Sequence, residues 1–232
     1  MTDHSIVSHA DWLAARQKLL AREKDFNRLR DELSQARRDL PWERVEKDYV
    51  FDGPDGKESL VDLFAGKSQL IVYHFMFAPE WDAACKSCSF WADNFNGIDV
   101  HLRHRDIAFV AISRAAYDKI GAYEKRMGWS FKWLSSASNS FNFDYAVSFP
   151  PEDVAKGEIG YNYRRIKSSM TDLVGVSVFA REGDAVYHTY STYSRGVDML
   201  NGAYHYIDLT PKGRDEGGKT QFWVRRHDEY AD

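Results

Sequence analysis

Two cysteines carry most of the reactive chemistry that this sequence offers, and they stand three positions apart in the segment Cys85-Lys86-Ser87-Cys88. Three interpretations fit the spacing: a redox pair that cycles between dithiol and disulfide, a pair of metal ligands, or two structural thiols. The chain has 232 residues and no further cysteine, so it is not a scaffold held together by disulfides.

The position of the pair favours redox chemistry. If Cys85 begins a helix, its sulfur lies near unpaired backbone N–H groups and the positive end of the helix dipole, and Lys86 adds a positive charge. In such settings the pKa of a thiol falls from about 8.5 to between about 3.5 and 7.5. Cys88 follows one helical turn later, at a Cβ distance of about 5–6 Å that a small adjustment brings into disulfide range. We therefore expect Cys85 to attack a disulfide or an oxidant and Cys88 to resolve the product.

Other side chains near the pair have two possible roles each. The aromatic residues Phe75, Trp81 and Trp91 either shield the cysteines and dock a partner, or pack in the core. Arg114 follows a predicted strand, and it either assists an anionic substrate or thiolate, or pairs with a surface acid. We include Trp81, Lys86 and Arg114 with the two cysteines as predicted site residues.

The elements around the pair are predicted from residue patterns. Two β-branched and aromatic runs, 69–77 and 107–113, are typical of buried central strands. Turn residues predict hairpins at 50–59 and 173–191, and helical spacing follows the cysteines and recurs at 115–128 and 195–208. This order predicts a mixed α/β sheet with helices on its faces, and it places the cysteines at the carboxyl edge of the sheet, where ligands usually bind.

A long helix is predicted over residues 8 to 38. Ser8 and Asp11 resemble a capping box at its start, and Pro41 ends it. Large apolar residues recur every seven positions along it: Trp12, Leu19, Phe26 and Leu33. The helix either lies on the domain with its apolar stripe or pairs with another chain, which would make the protein a homodimer.

Residues 49–113 resemble the peroxiredoxin-like branch of the thioredoxin superfamily, in which a hairpin and a "GK" turn precede the strand that leads to the reactive cysteine. Further segments, among them "CKSCSFWADNFNG", "FNFDYAVSF" and "YHTYSTYSRGVDMLNGAYHYIDLTPKGRDE", resemble the bacterial family catalogued as domain of unknown function 899. The resemblance covers roughly residues 40 to 230.

The resemblance implies a thioredoxin-like mixed sheet flanked by helices. We expect this domain at 41–208, an N-terminal helical extension at 1–40 and an irregular C-terminal tail at 209–232. The implied activity is that of a thiol–disulfide oxidoreductase or thiol peroxidase that acts on protein or small-molecule thiols and disulfides. The alternatives are a non-catalytic binding module, and metal capture by the cysteines.

Two departures from better-known relatives bear on the activity. Peroxiredoxins carry the pattern Pro-x-x-x-Thr-x-x-Cys, whereas Pro79 lies six residues before Cys85 and no threonine falls between them. A peroxidase site built on that motif is therefore not expected. The proline that usually faces the cysteine pair in thioredoxin-like sheets is missing from "DLVGVSVF", where Val174 or Val176 takes its place.

Two further patterns in the sequence bear on nucleotide and metal binding. Residues 213–220 match a phosphate-loop pattern, but only twelve residues follow and they do not form the helix that a nucleotide site needs. A zinc or copper site would require histidines near the cysteines, and His188 or His205 are the candidates, while His101 and His104 share a solvated helix end. We predict no metal site and no cofactor.

Composition excludes two classes of partner. The 31 basic and 35 acidic residues give a net charge of −4, which argues against nucleic-acid binding. The longest apolar run has about ten residues, whereas a membrane span needs about 20. The N-terminal residues do not have the pattern of a secretory signal, so a soluble, cytoplasmic protein without membrane contact is expected.

Overall fold

The computed structural model describes residues 4–231. The chain forms two compact units, one that extends to Pro41 and one that begins at Trp42.

The first unit is the predicted long helix, α1 (His9–Arg38). The Ser8 hydroxyl accepts the Asp11 N–H at 3.2 Å and donates to the Asp11 carboxylate at 2.6 Å, so the capping residues act as predicted. On the heptad stripe, Leu19 is 49% and Phe26 is 64% exposed. A homodimer through this stripe stays a prediction.

Between residues 42 and 231, the second unit has ten strands. They are β1 (Glu43–Arg44), β2 (Val50–Gly53), β3 (Gly56–Ser59), β4 (Gln69–His74), β5 (Ile107–Ser113), β6 (Lys132–Ser135), β7 (Ile159–Tyr161), β8 (Arg164–Ile166), β9 (Gly175–Glu182) and β10 (Ala185–Tyr193). Eight of them form one sheet in the order β1-β10-β9-β4-β5-β6-β2-β3, and β7 pairs with β8 in a separate hairpin.

The helices of this unit are short. They are α2 (Lys86–Phe95), α3 (Asp99–His104), α4 (Tyr117–Met127), α5 (Phe141–Asp144), α6 (Pro151–Ala155) and α7 (Gly202–Asp208). Turns of 3₁₀ helix occur at Asp62–Phe64, Ser194–Leu200 and His227–Glu229. Within residues 4–231, no helix is both long enough and apolar enough to cross a membrane.

The sheet has a thioredoxin-like topology. Strands β4, β5 and β6 run parallel, with α2, α3 and α4 in the crossovers. Strand β9 is antiparallel to β4, and β10 is antiparallel to β9. The predicted fold class, a mixed sheet flanked by helices with an N-terminal helix, is therefore confirmed.

Several elements differ from the sequence-based expectation. Strand β6, the hairpin β7–β8 and strand β1 were not predicted, because runs of two to four residues are too short to show a period. The helix expected at 195–208 is divided into a 3₁₀ segment and α7. Asn201 causes this break, since its buried side chain caps α7 by accepting the Tyr204 N–H at 2.9 Å.

The alternation of side chains along β4 decides what faces the cysteines. Tyr73 points into the core beneath α2 and α4, together with Phe75, Phe95 and Trp133. Leu70 and Val72 point into the core on the other face of the sheet. His74, the next residue, stacks against aromatic rings of that second core and therefore points away from the cysteines.

Candidate functional site

The loop that carries the cysteine pair leaves the carboxyl end of β4 and is tied to the neighbouring elements. The Ala115 N–H donates to the Phe77 carbonyl at 2.8 Å, which continues the pairing with the β5 side of the sheet. The Lys119 ammonium group donates to the carbonyls of Pro79 at 2.7 Å and Trp81 at 3.2 Å. These bonds hold the loop in one path from the sheet to α2.

Cys85 occupies the N-cap position of α2. Its N–H donates to the Met76 carbonyl at 3.0 Å, and its carbonyl accepts the Ser89 N–H at 2.9 Å and the Ser89 hydroxyl at 3.0 Å. The Cys85 sulfur is partly buried, and the nearby backbone N–H groups of Ser87 and Cys88 favour its anion and lower its pKa. The sulfur thus lies where the helix leaves its first amides unpaired, as the sequence predicts.

The two thiols have opposite acid–base properties. The Cys88 thiol donates to the Cys85 sulfur, and this bond together with the two amides and the Ser87 hydroxyl lowers the pKa of Cys85 to about 6, although burial opposes the shift. Burial and this same bond raise the pKa of Cys88 well above its ordinary value. The arrangement therefore favours the state in which Cys85 is the thiolate and Cys88 is the thiol.

Tyr73 is a member of the site that sequence reasoning missed. Its side chain is fully buried, and its hydroxyl lies against the Cys88 sulfur and counteracts part of the rise in the Cys88 pKa. No nitrogen or oxygen in residues 4–231 pairs with this hydroxyl. A tyrosine within an apolar strand usually packs in the core, so the residue type gives no sign of a role in the site. Only the alternation of side chains between the two faces of β4 could have indicated that Tyr73 lies on the face toward the cysteines.

Arg226 is a second missed residue, and it comes from the C-terminal tail. Its guanidinium donates to the Ala84 carbonyl at 2.8 Å, to the Tyr123 hydroxyl at 2.8 Å and to the Glu229 carboxylate at 2.8 Å. The Tyr123 hydroxyl in turn lies 2.9 Å from the Ser89 hydroxyl. Arg226 thus joins the residue before Cys85 to α4, and its sequence position does not reveal this contact.

The other residues that the sequence placed near the cysteines differ in how deeply they are buried. Lys86 is the first residue of α2 and is partly buried, and Trp81 packs partly buried against the core. Trp91 is 4% exposed and donates its indole N–H to the Val197 carbonyl at 2.9 Å, so it is a packing residue. Val174, at the place of the missing proline, lies in the wall of the same cavity as Cys88.

Arg114 lies at the carboxyl end of β5, as predicted, but its guanidinium binds Asp172 at 2.9 and 2.6 Å. This partner is a buried acid, which Ser148 also contacts at 2.7 Å, and not the surface acid that the sequence suggested. Within the described residues no hydrogen bond or ion pair joins Arg114 to either cysteine. A direct part in the chemistry stays a prediction.

The histidines considered for a metal site lie elsewhere. His188 is hydrogen-bonded to Ser191 at 2.7 Å, and its ring contacts the Phe179 ring of the second core at a centroid distance of 5.6 Å. The His205 ring is 3.4 Å from the Met199 carbonyl. In the described part of the chain, no three His, Cys, Asp or Glu side chains are grouped so that they could hold a metal ion.

A cavity of about 590 Å³ borders the cysteine pair on the Cys88 side. Residues of β4 and α2 form one wall, and residues 194–221 form the other. The segment 213–220, which matches a phosphate-loop pattern, forms turns without a flanking strand, and its Glu216 lines this cavity.

The chain is similar in structure to several peroxiredoxins. Peroxiredoxin Q of Xanthomonas campestris is 12% identical, with a TM-score of 0.48 over 72% of this chain and 98% of that one. Peroxidoxin BcpB of Mycobacterium tuberculosis is 14% identical, with a TM-score of 0.47 over 72% and 97%. PrxQ of Xylella fastidiosa is 10% identical, with a TM-score of 0.46 over 71% and 95%.

No curated protein matches the chain. The family described as "Bacterial protein of unknown function (DUF899)" matches residues 1–230, a span that includes both the cysteine pair and the C-terminal segment that completes the cavity beside it. The chain therefore belongs to this family.

Proposed function

We propose that the protein is a thiol–disulfide oxidoreductase in which Cys85 is the attacking thiolate and Cys88 the resolving thiol. The observation that carries the proposal is the place of Cys85 at the N-cap of α2 with the buried Cys88 one helical turn further on, an arrangement that lowers the pKa of the Cys85 thiol and raises that of Cys88. A thiolate that persists near neutral pH can attack, whereas a protonated neighbour does not compete with it.

The reaction follows from this arrangement. The Cys85 thiolate attacks one sulfur of a disulfide, forms a mixed disulfide and expels the first thiolate of the substrate. Cys88 then attacks the Cys85 sulfur, gives up its proton and expels the second thiolate, so that two electrons pass from the pair to the substrate. The reverse sequence would oxidise thiols.

Two neighbouring residues have supporting roles in the proposal. Lys86 begins α2 and adds positive charge beside the attacking sulfur. Trp81 lies partly buried in the loop before the pair, where its exposed part can contact a protein or small-molecule partner. Both residues act on binding and on the thiolate, and neither forms a bond with the substrate.

Trapping of the intermediate tests the proposal. In a Cys88→Ser variant, hydroxyethyl disulfide should leave a stable mixed disulfide on Cys85, because the resolving sulfur is gone, and intact-mass spectrometry would show the adduct. The matched Cys85→Ser variant should form little adduct, since its remaining thiol stays protonated. Thiols that become reactive only after unfolding would contradict the proposal and favour a non-catalytic binding module.

A further inference from the structure

The cavity beside Cys88 has the size of a small-molecule site. Its volume of about 590 Å³ lies inside the range of about 300–1,000 Å³ that is usual for such sites. Tyr73, Cys88 and Trp91 line it on the side of the sheet and α2. A ligand in the cavity would touch the Cys88 sulfur, which is hydrogen-bonded to the Cys85 sulfur.

The charged residues of the cavity do not balance. Arg214 pairs with Asp208 at 2.8 Å and with Asp198 at 3.2 Å, and Arg195 pairs with Asp198 at 3.2 Å. These two arginines offset the two aspartates. Glu216 is the remaining acid in the lining, so the cavity has one surplus negative charge.

Neutral donors hold the Glu216 carboxylate in place. Its Oε1 atom accepts the Tyr204 hydroxyl at 2.8 Å, the Gln221 N–H at 2.8 Å and the Trp223 indole N–H at 3.0 Å. None of these three donors uses Oε2, and none carries a charge. In the described part of the chain no lysine or arginine forms an ion pair with Glu216, so its charge is available to a ligand.

The rest of the lining suits a cation and a sulfur atom. Tyr73, Trp91 and Tyr204 supply aromatic surface, and the Arg214 guanidinium already lies 3.8 Å from the centre of the Tyr204 ring. The Tyr73 hydroxyl is buried at the cavity wall without a nitrogen or oxygen partner among residues 4–231. It can therefore donate to a sulfur of the ligand or to the thiolate that leaves.

We infer that the cavity binds a low-molecular-weight disulfide that carries an ammonium group, and that this molecule is a substrate of the cysteine pair. The inference rests on the proposed thiol–disulfide activity. Glu216 receives the ammonium group, the aromatic wall contacts its methylene chain, and the disulfide lies beside the Cys88 sulfur, one helical turn from the Cys85 sulfur that attacks it. Reaction of one such disulfide with the reduced pair, and uptake of one proton from solvent, yields the protein disulfide and two thiols.

Three disulfides of similar length and different charge test the inference. Cystamine carries two ammonium groups, hydroxyethyl disulfide is neutral, and dithiodipropionate carries two carboxylates. The rate at which each oxidises the reduced protein would be measured by stopped-flow tryptophan fluorescence. Each rate would be divided by the rate for free cysteine with the same disulfide, which removes differences in intrinsic reactivity.

We expect the corrected rate for cystamine to exceed that for hydroxyethyl disulfide at least tenfold, and dithiodipropionate to be the slowest, because a charge-assisted hydrogen bond is worth about that factor. In a Glu216→Gln variant the ratio of cystamine to hydroxyethyl disulfide should fall toward one. Glu182→Gln is the matched control, since Glu182 lies at the end of β9 away from the cysteines and should leave the ratio unchanged.

Equal corrected rates for the three disulfides, or a preference that survives Glu216→Gln, would overturn the inference and leave the proposed activity intact. Failure of every disulfide to oxidise the pair would instead overturn the proposed activity. Calorimetry with hexamethylenediamine, which has the shape of cystamine without its sulfur atoms, then still tests the cavity. Binding that Glu216→Gln abolishes would support an ammonium site, and absence of binding to the unaltered protein would contradict one.

Discussion

At the scale of single residues, the site depends on two sulfurs that share one helical turn and differ in what surrounds them. Amide, hydroxyl and thiol groups around Cys85 stabilise its anion and lower its pKa. Cys88 is 2% exposed and donates the bond that Cys85 accepts. Because one proton is shared in this way, the acidity of each thiol depends on the presence of the other.

The alkylation rate of Cys85 should follow this acidity. The thiolate is the reactive form, so the rate with iodoacetamide should fall as the pH drops, with a midpoint at about 6, and it should change little above pH 7. Ser87→Ala removes one donor to the sulfur and should raise the midpoint by roughly half a unit to one unit. The exposed Ser138 is the control site, where Ser138→Ala should leave the profile unaltered. A midpoint near the free-cysteine value of about 8.5 would refute the assignment of Cys85 as the attacking thiolate.

At the scale of elements, the start of β9 faces the cysteine loop and packs closely on its neighbours. Gly175 pairs with His74 at the end of β4. A Cβ atom at Gly175 would lie 2.8 Å from Val147 Cγ1 and 2.9 Å from Tyr193 Cδ1. Glycine is therefore needed here for close approach of the chain, and Val174 next to it is held at the cavity wall.

Gly175→Ala should reduce the free energy of unfolding by about 1–3 kcal/mol, because the added methyl group forces the Tyr193 ring and Val147 apart. Urea denaturation under reducing conditions would measure this. A methyl group added at Gly160 would meet no other atom within 4 Å, so Gly160→Ala should change the stability by less than about 1 kcal/mol. Equal effects of the two substitutions would disprove the steric explanation.

At the scale of the whole molecule, the two faces of the sheet have different polar contents. The face opposite the cysteines buries a chain of hydrogen bonds from His74 through Ser177 and Ser191 to His188, with spacings of 2.8, 2.8 and 2.7 Å. Burial, assisted by the charge of His188, lowers the pKa of His74 to about 3. His74 therefore stays neutral in the folded protein over most of the acidic range.

This neutral histidine should make the protein less stable in acid. An unfolded histidine takes up a proton below about pH 6.5, while folded His74 does so only near pH 3. The contribution of His74 to the free energy of unfolding is therefore complete above pH 6.5. It is lost as the pH falls from 6.5 to 3, by at most about 1.4 kcal/mol per pH unit. Denaturant unfolding at several pH values between 6 and 4, below most of the titration of Cys85, would give the free energy of unfolding at each pH. This free energy should fall less steeply with decreasing pH in His74→Gln than in the unaltered protein. The same substitution at the exposed His101 is the control and should leave the pH dependence unchanged. An NMR titration in which His74 takes up its proton near pH 6.5 would contradict the prediction.

Much of the framework followed from local patterns in the sequence. The strands at 69–77 and 107–113, the two hairpins and α4 with its closing Gly128 all occur close to their predicted places, because each depends on the spacing of apolar residues and on turn residues nearby. The position of Cys85 at the start of α2 followed in the same way. The short strand β6 and the break at Asn201 did not, since packing and a buried side-chain cap decide them.

By itself, the sequence determined that two thiols lie one helical turn apart where a buried strand passes into a helix. Only the tertiary structure decided how those thiols differ and what encloses them. Tyr73 and Arg226 are more than 140 positions apart in the sequence. They reach the cysteine pair and the residue before it through contacts between elements that no local pattern encodes. Acidity and ligand preference depend on burial and on distances between such residues, which exist only once the chain has folded.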